Sequence, residues 1–275
     1  MFQEVANLQE EGQTLGAVLQ TLQPQDWARP TPFKQWTVWD VVAHLYLSDQ
    51  WAVAALKGAD MFRSAAAPVL AALDRGIALT DFTREHLQHL AGAAMRQAWS
   101  DSFDDLGRRL SVLHPKARLA WFGPDMGARM FVTARYMETW AHGQDIYDLL
   151  GRQRRYTDGI RAIATLGVKT YAFCFANRGL TPPAPAPYLR LTAPSGAIWE
   201  WNPPSDEHRI EGSASDFCHV VTQGRNVADT LLQVIGDPAR RWMAIAQCFA
   251  GKAEDPPVPG LRGGSASIAS HERPG

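Results

Sequence analysis

"TVWDVVAHLYLSDQWAVAALKG", residues 37–58, has the apolar spacing of a helix with one buried face. The apolar residues at helical intervals are Val38, Val41, Val42, Leu45, Trp51 and Leu56. Thr37 can cap the start, because its side-chain oxygen can accept a backbone N–H, and Gly58 suits the end. The stretch predicts a long helix packed against a core.

Other segments of the first 180 residues also have helical spacing. They are residues 2–22, 80–113, 128–150 and 157–177. Residues 80–113 are predicted as one long helix or a broken pair, with Thr80 as the cap, and the helix before Gly151 ends at that glycine. Four principal helices with shorter ones predict an N-terminal bundle.

The character of the chain changes at "LTPPAPAPYLRLTAPSG", where four prolines within six residues prevent a helix. We place a domain boundary near residue 182. Short β-rich runs follow, namely "YLRLTA", "IWEWN", "HRIEGSA" and "FCHVVTQ", and helical spacing returns from Pro238 to Gly251. The predicted fold class is α+β, with a helical domain over residues 1–181, a smaller α+β domain over 182–254 and a disordered tail over 255–275.

Composition narrows the class of ligand. The 275 residues are 46% apolar and 20% charged, with a formal net charge of −1. This balance gives no general electrostatic reason to expect nucleic acid or an anionic membrane as a partner. We expect a cytoplasmic protein, monomer or homodimer, that binds small molecules. Three separated cysteines among apolar neighbours suggest core positions rather than disulfides or a thiolate metal site.

A second stretch, "METWAHGQDIYDLLG" at residues 137–151, places Glu138, His142 and Asp145 on one helix face. Glu138 and His142 can aim a carboxylate oxygen and an imidazole nitrogen at one divalent ion. His44 is the best third ligand, because an imidazole in the middle of an apolar helix costs desolvation unless it finds a partner. Three such ligands leave a coordination position open, as in catalytic sites; zinc ranks first, and nickel, iron or cobalt would also bind.

Each of these residues also has a simpler interpretation. His44 can be a hydrogen-bonded core histidine, and Glu138 with His142 a helix-stabilising pair. Asp145 can orient an imidazole, act on a substrate proton, or only make a bond along its helix. Arg135 can pair with Glu138, hold an anionic substrate, or form a surface salt bridge.

Residues outside this helix face extend the interpretation. Arg225 in "TQGRN" is a candidate for binding the cofactor, by reaching a carboxylate from the second domain, or is a solvated turn residue. Aromatic walls would suit an apolar or sugar-bearing ligand, although core packing accounts for most tryptophans. The tryptophans near the proposed ligands in sequence are Trp39, Trp51, Trp121 and Trp140.

The segments "WTVWDVVAHLYLSDQWA" and "ARYMETWAHGQDIYDLLG" together resemble the DinB-like four-helix bundle of the mycothiol-dependent maleylpyruvate isomerase family. The segment "IEGSASDFCHVVTQGRNVADTLLQVIGDPARRWMAIAQCFAG" resembles the second domain of a two-domain actinobacterial branch. The resemblance implies that His44, Glu138 and His142 are metal ligands. It also implies that a low-molecular-weight thiol such as mycothiol is the second cofactor.

Two functional hypotheses follow. The first is a metal-dependent enzyme that transfers a thiol to a small electrophilic metabolite or isomerises that metabolite, with Asp145 and Arg135 as catalytic candidates. In an isomerase, thiol addition permits bond rotation and elimination follows; in a transferase, the thiol stays on the product. The alternative is a non-catalytic metal- or thiol-binding protein whose C-terminal domain binds a partner.

Overall fold

The computed structural model describes residues 3–262. The chain divides into two compact units between Leu150 and Gly151. The first is helical and the second combines helices with a small sheet, which confirms the predicted fold class. Within residues 3–262, no helix is both long enough and apolar enough to cross a bilayer.

The first unit consists of helices and one short hairpin. The helices are α1 (Gln3–Gln20), α2 (Val38–Lys57), α3 (Ala59–Asp74), α4 (Leu79–Leu87), α5 (Gly92–Ser111) and α6 (Ala128–Leu150). The hairpin strands are β1 (Arg118–Leu119) and β2 (Met126–Gly127). Residues 80–113 are thus a broken pair, α4 and α5. The prediction that Thr80 caps this segment is wrong, because Ala78 occupies the N-cap position.

Four of these helices form the predicted bundle. α1 packs on α5 and α6, and α2 packs on the same two helices, while α3 and α4 cover α2. Close approach of α1 to α5 requires a glycine at position 12, because a Cβ there would lie 2.1 Å from Cε1 of Phe103. This arrangement brings the middle of α2 against the middle of α6.

The start of α2 is fixed by side chains. The Oγ1 of Thr37 accepts from the backbone N–H of Asp40 at 3.2 Å, and the Asp40 carboxylate accepts from the backbone N–H of Thr37 at 2.8 Å. Arg84 of α4 also donates to Asp40 at 2.7 and 2.8 Å. These bonds satisfy the backbone N–H groups of Thr37 and Asp40 and fix the start of the helix about two turns before His44.

The second unit has a four-stranded sheet. Its strands are β3 (Tyr188–Thr192), β4 (Ile198–Trp201), β5 (Arg209–Ser213) and β6 (Gln233–Ile235), in the order β4-β3-β5-β6. β3 and β5 are parallel and the other two pairs are antiparallel. Its helices are α7 (Arg161–Lys169), α8 (Tyr171–Ala176), α9 (Ala214–Val221) and α10 (Asp237–Met243).

Two predictions in this unit are wrong. The run at 217–223, predicted as a strand, lies mostly in α9, because the Ser213 side chain caps that helix by accepting from the N–H of Asp216 at 3.0 Å. The helix predicted up to Gly251 already ends at Met243.

The unit boundary also differs from the predicted position near residue 182. Residues 161–176 group with the second unit, since α7 packs on α9 and the ring of Tyr171 lies 5.0 Å from that of Trp242. Part of the predicted tail is bonded: Arg262 is 4% exposed and donates to the Gln223 carbonyl at 2.7 Å. The tail beyond residue 262 lies outside the described residues.

Candidate metal centre

The three ligands proposed from the sequence meet where α2 faces α6. Nε2 of His44 lies 3.3 Å from Oε2 of Glu138, and Nε2 of His142 lies 3.6 Å from the same oxygen. All three ligand atoms lie within 4.8 Å of one another. Two bundle helices therefore bring two imidazoles and a carboxylate to one point.

This spacing fits a divalent ion. Two ligand atoms that lie about 2.0–2.1 Å from an ion, at a tetrahedral angle, are about 3.4 Å apart. The distances from Oε2 of Glu138 to the two imidazole nitrogens lie on either side of that value. With three protein ligands, a fourth position would stay open for an exogenous group.

The carboxylate of Glu138 is strongly held in its charged form. Burial raises the pKa of Glu138, but the hydrogen bond with His44 and the charges of His142, His44 and Arg135 outweigh burial and lower that pKa to about 2. Glu138 is therefore an anion throughout the neutral range. An anionic oxygen beside two imidazoles is a donor set that first-row divalent metals accept.

Asp145 supports one of the imidazoles. Its Oδ2 lies 3.2 Å from Nδ1 of His142, one turn further along α6, and the side chain is almost fully buried. A carboxylate on Nδ1 favours the tautomer with the proton there, which leaves the Nε2 lone pair available for a metal. The contact is also the bond along its own helix that the sequence allowed for Asp145, so the orienting role stays a prediction.

Arg135 does not form the surface salt bridge considered for it. Nη2 and Nε of Arg135 donate to Oδ1 of Asp49 at 2.9 and 3.3 Å, and both residues are at most 3% exposed. Burial raises the pKa of Asp49, and the charge and hydrogen bonds of Arg135 oppose that shift. The guanidinium thus joins α6 to α2 inside the bundle. A role in binding substrate stays a prediction.

Two aromatic side chains of the loop before α2 contact the imidazoles. The ring of Trp36 is stacked on that of His142, with centroids 5.7 Å apart and planes at 7°, and lies 5.4 Å from the ring of His44. The ring of Phe33 meets His142 edge-on at 5.1 Å. Sequence reasoning missed both residues. A signal was present, because Trp36 directly precedes the helix cap Thr37.

The tryptophans that the sequence suggested as walls make other contacts within the first unit. Trp39 donates its indole N–H to the Leu90 carbonyl at 2.6 Å, and Trp51 lies in ring contact with Phe122. Trp121 stacks on Phe62, and Trp140 is 1% exposed in the bundle core. Trp51 and Trp140 are buried in the core, whereas Trp39 and Trp121 are partly exposed. The aromatic wall at the imidazoles is formed by Phe33 and Trp36.

Arg225 lies in the second unit and is buried, not a solvated turn residue. Its guanidinium donates to the carbonyl of Gly224 at 2.8 Å. Burial, together with the charges of Arg225 and Arg154, lowers the pKa of His219, whose Nε2 is 2.8 Å from the hydroxyl of Tyr156. The contact with a cofactor that was proposed for Arg225 stays a prediction.

Comparison with known proteins links this site to one family. The family model described as the mycothiol maleylpyruvate isomerase N-terminal domain matches residues 8–147, which include all three candidate ligands. Two uncharacterised proteins, from two strains of Mycobacterium tuberculosis, are each 38% identical over 247 residues, which is 90% of this chain and 95% of theirs. These relatives span both units.

Solved structures share the fold. The crystal structure of the mycothiol-dependent maleylpyruvate isomerase superposes with a TM-score of 0.53 at 15% identity, over 82% of this chain and 89% of its own. A mutant of that isomerase gives 0.51 at 15% identity, over 79% and 87%. At this level of identity, the superposition is evidence of a common fold.

Proposed function

The chain belongs to the mycothiol maleylpyruvate isomerase family, and on that premise we propose a metal-dependent enzyme that uses a low-molecular-weight thiol to modify a small electrophilic metabolite. The observation that carries the proposal is the meeting of His44, Glu138 and His142 at one point. Helices α2 and α6 carry those residues to one point. Three protein ligands would leave one coordination position of the ion open for an exogenous sulfur.

The charge of the ligand set supports thiol chemistry. Metal coordination requires neutral imidazoles, so with Glu138 anionic the three ligands would carry one negative charge and a bound divalent ion would keep a net positive charge. When bound, such an ion would lower the pKa of a coordinated thiol from about 8.5 toward neutrality and so supply a thiolate nucleophile. Zinc is the first candidate, followed by nickel, iron and cobalt.

The remaining side chains prepare the ligands. Asp145 holds Nδ1 of His142, which turns Nε2 of that imidazole toward Glu138. Glu138 is already deprotonated at neutral pH, because its pKa is lowered to about 2. Because Asp145 is 1% exposed, we assign it the orienting role rather than proton exchange with substrate.

Two successive experiments test the proposal: the first measures metal content and the second follows the thiol. Elemental analysis of the purified protein should find about one first-row ion per chain, and His44→Ala should lose it. His89→Ala is the matched control, because His89 is an exposed histidine outside the site. Metal content that is unchanged in His44→Ala would refute the assignment of the third ligand.

The reaction is then defined by what happens to the thiol. Mycothiol and maleylpyruvate are the first pair to test, because the solved relative is named for them. An isomerase returns the thiol, so its concentration stays constant while substrate is converted; a transferase consumes one thiol per product. Bound metal without turnover over a broad panel of electrophiles would instead support the non-catalytic binding protein.

A further inference from the structure

The loop before α2 has an unusual backbone. Lys34 and Gln35 have φ angles of 48° and 59°, both in the left-handed region. The N–H of Trp36 donates to the carbonyl of Phe33 at 2.8 Å, which closes a tight turn over the two residues. Consecutive left-handed residues are typical of turns with Asn or Gly, and long side chains there are strained.

The same turn places two rings on the imidazoles. Phe33 and Trp36 are its first and last residues, and their own rings pack edge to face at 5.0 Å. The indole of Trp36 touches His44 of α2 and His142 of α6, so one side chain contacts both imidazole ligands. Strain in a turn persists where surrounding contacts maintain it, and here those contacts are with the candidate metal ligands.

Ring orientation matters for metal binding. The lone pair of an imidazole lies in the ring plane, so rotation about the bond that carries the ring turns the donor atom away from the ion. That torsion has broad preferences and needs outside contacts to define it. Asp145 supplies such a contact for His142 through Nδ1. A flat indole packed on both rings restricts both rotations together.

We propose that Trp36 is a positioning residue that fixes the ring orientation of both imidazole ligands, and that the left-handed turn at Lys34 and Gln35 holds its indole in place. The proposal rests on the metal centre described under the proposed function. It adds a residue from outside α2 and α6 to that centre.

The test measures metal binding rather than activity. Metal-free wild-type protein and the variants Trp36→Leu and Trp36→Phe are titrated with Co²⁺, and the visible spectrum is recorded at saturation. Trp36→Leu should bind Co²⁺ about 10- to 100-fold more weakly, as for other residues that orient metal ligands, and with a changed spectrum. Trp36→Phe keeps a flat ring and should recover most of the affinity. A role only in stability would leave the spectrum of the saturated, folded protein unchanged.

Trp39→Leu is the matched control, since Trp39 is also a half-buried tryptophan of the first unit and bonds to Leu90. It should keep the wild-type affinity and spectrum. If Trp36→Leu does not fold, Trp36→Met replaces it, because methionine fills space without a flat ring. Wild-type affinity and spectrum in the ring-free variant would overturn the positioning role and leave the metal centre standing. A wild-type protein that binds neither Co²⁺ nor Zn²⁺ would overturn both.

Discussion

The buried pair between Arg135 and Asp49 gives a quantitative prediction about stability. The two N–H groups of Arg135 lie 2.9 and 3.3 Å from Oδ1 of Asp49, and both side chains are excluded from solvent. At an effective dielectric constant of about 20, opposite charges this close attract by on the order of 5 kcal/mol, which partly offsets the burial that raises the pKa of Asp49. Removal of one partner leaves the other charge buried without compensation, so Asp49→Leu or Arg135→Met should each cost about 3–5 kcal/mol.

The double variant Asp49→Leu/Arg135→Met separates this interpretation from a simple loss of packing. It removes both charges at once and fills the space with apolar groups, so its cost should be far below the sum of the single costs. Urea unfolding followed by circular dichroism measures the free energy of unfolding of all three variants. Asp60→Ala is the control, because Asp60 and Arg63 form an exposed pair whose loss should change stability by less than about 1 kcal/mol.

Additive costs, or a loss below about 1 kcal/mol in either single variant, would refute the reasoning. The double variant also tests the catalytic role predicted for Arg135 from the sequence. If it keeps both metal and turnover, the guanidinium acts only within the bundle. If it keeps the metal and loses turnover, Arg135 acts on the substrate as the sequence suggested.

Four further predictions concern the metal centre and its loop. His142→Ala should lose most of its zinc on dialysis, measured by elemental analysis, and a full equivalent retained would contradict the ligand assignment. Asp145→Asn should keep zinc but lower kcat about 10- to 100-fold in steady-state assays, and an unchanged kcat would exclude the orienting role. In metal-free protein, the stability that Glu138 contributes through its lowered pKa should be complete above pH 4.5 and be lost as pH falls toward 2. Glu138→Gln should lack that part of the acid dependence in urea unfolding, and an identical dependence would contradict the assignment. Gln35→Gly should raise the free energy of unfolding by up to about 1 kcal/mol, because the relief of left-handed strain exceeds the entropy that glycine adds to the unfolded chain. A destabilised variant would show that the turn is unstrained.

The meeting of His44, Glu138 and His142 at one point could be predicted because most of its information is local. Glu138, His142 and Asp145 lie three and four residues apart on one helix, so their shared face follows from helix geometry alone. His44 stood out because it is a polar group in the middle of an apolar helix. The pairing of α2 with α6 was the additional assumption, and the bundle confirms it.

Other features depend on information that spacing does not carry. The contact between Asp49 and Arg135 depends on how α2 and α6 are rotated against each other, although a carboxylate among apolar residues indicates a buried cationic partner. The aromatic wall comes from a loop without periodicity. The error at 217–223 has a local cause: valines favour a strand, but the cap at Ser213 selects a helix.

X-ray absorption at the zinc edge, on protein loaded with zinc and then with thiol, tests whether this site binds a metal that in turn binds sulfur. Two imidazole nitrogens at about 2.0–2.1 Å and a carboxylate oxygen at about 2.0–2.2 Å are expected before thiol is added, and one sulfur at about 2.3 Å afterwards. A zinc environment that is the same in the double variant His44→Ala/His142→Ala, or that gains no sulfur when thiol is added, would contradict the account.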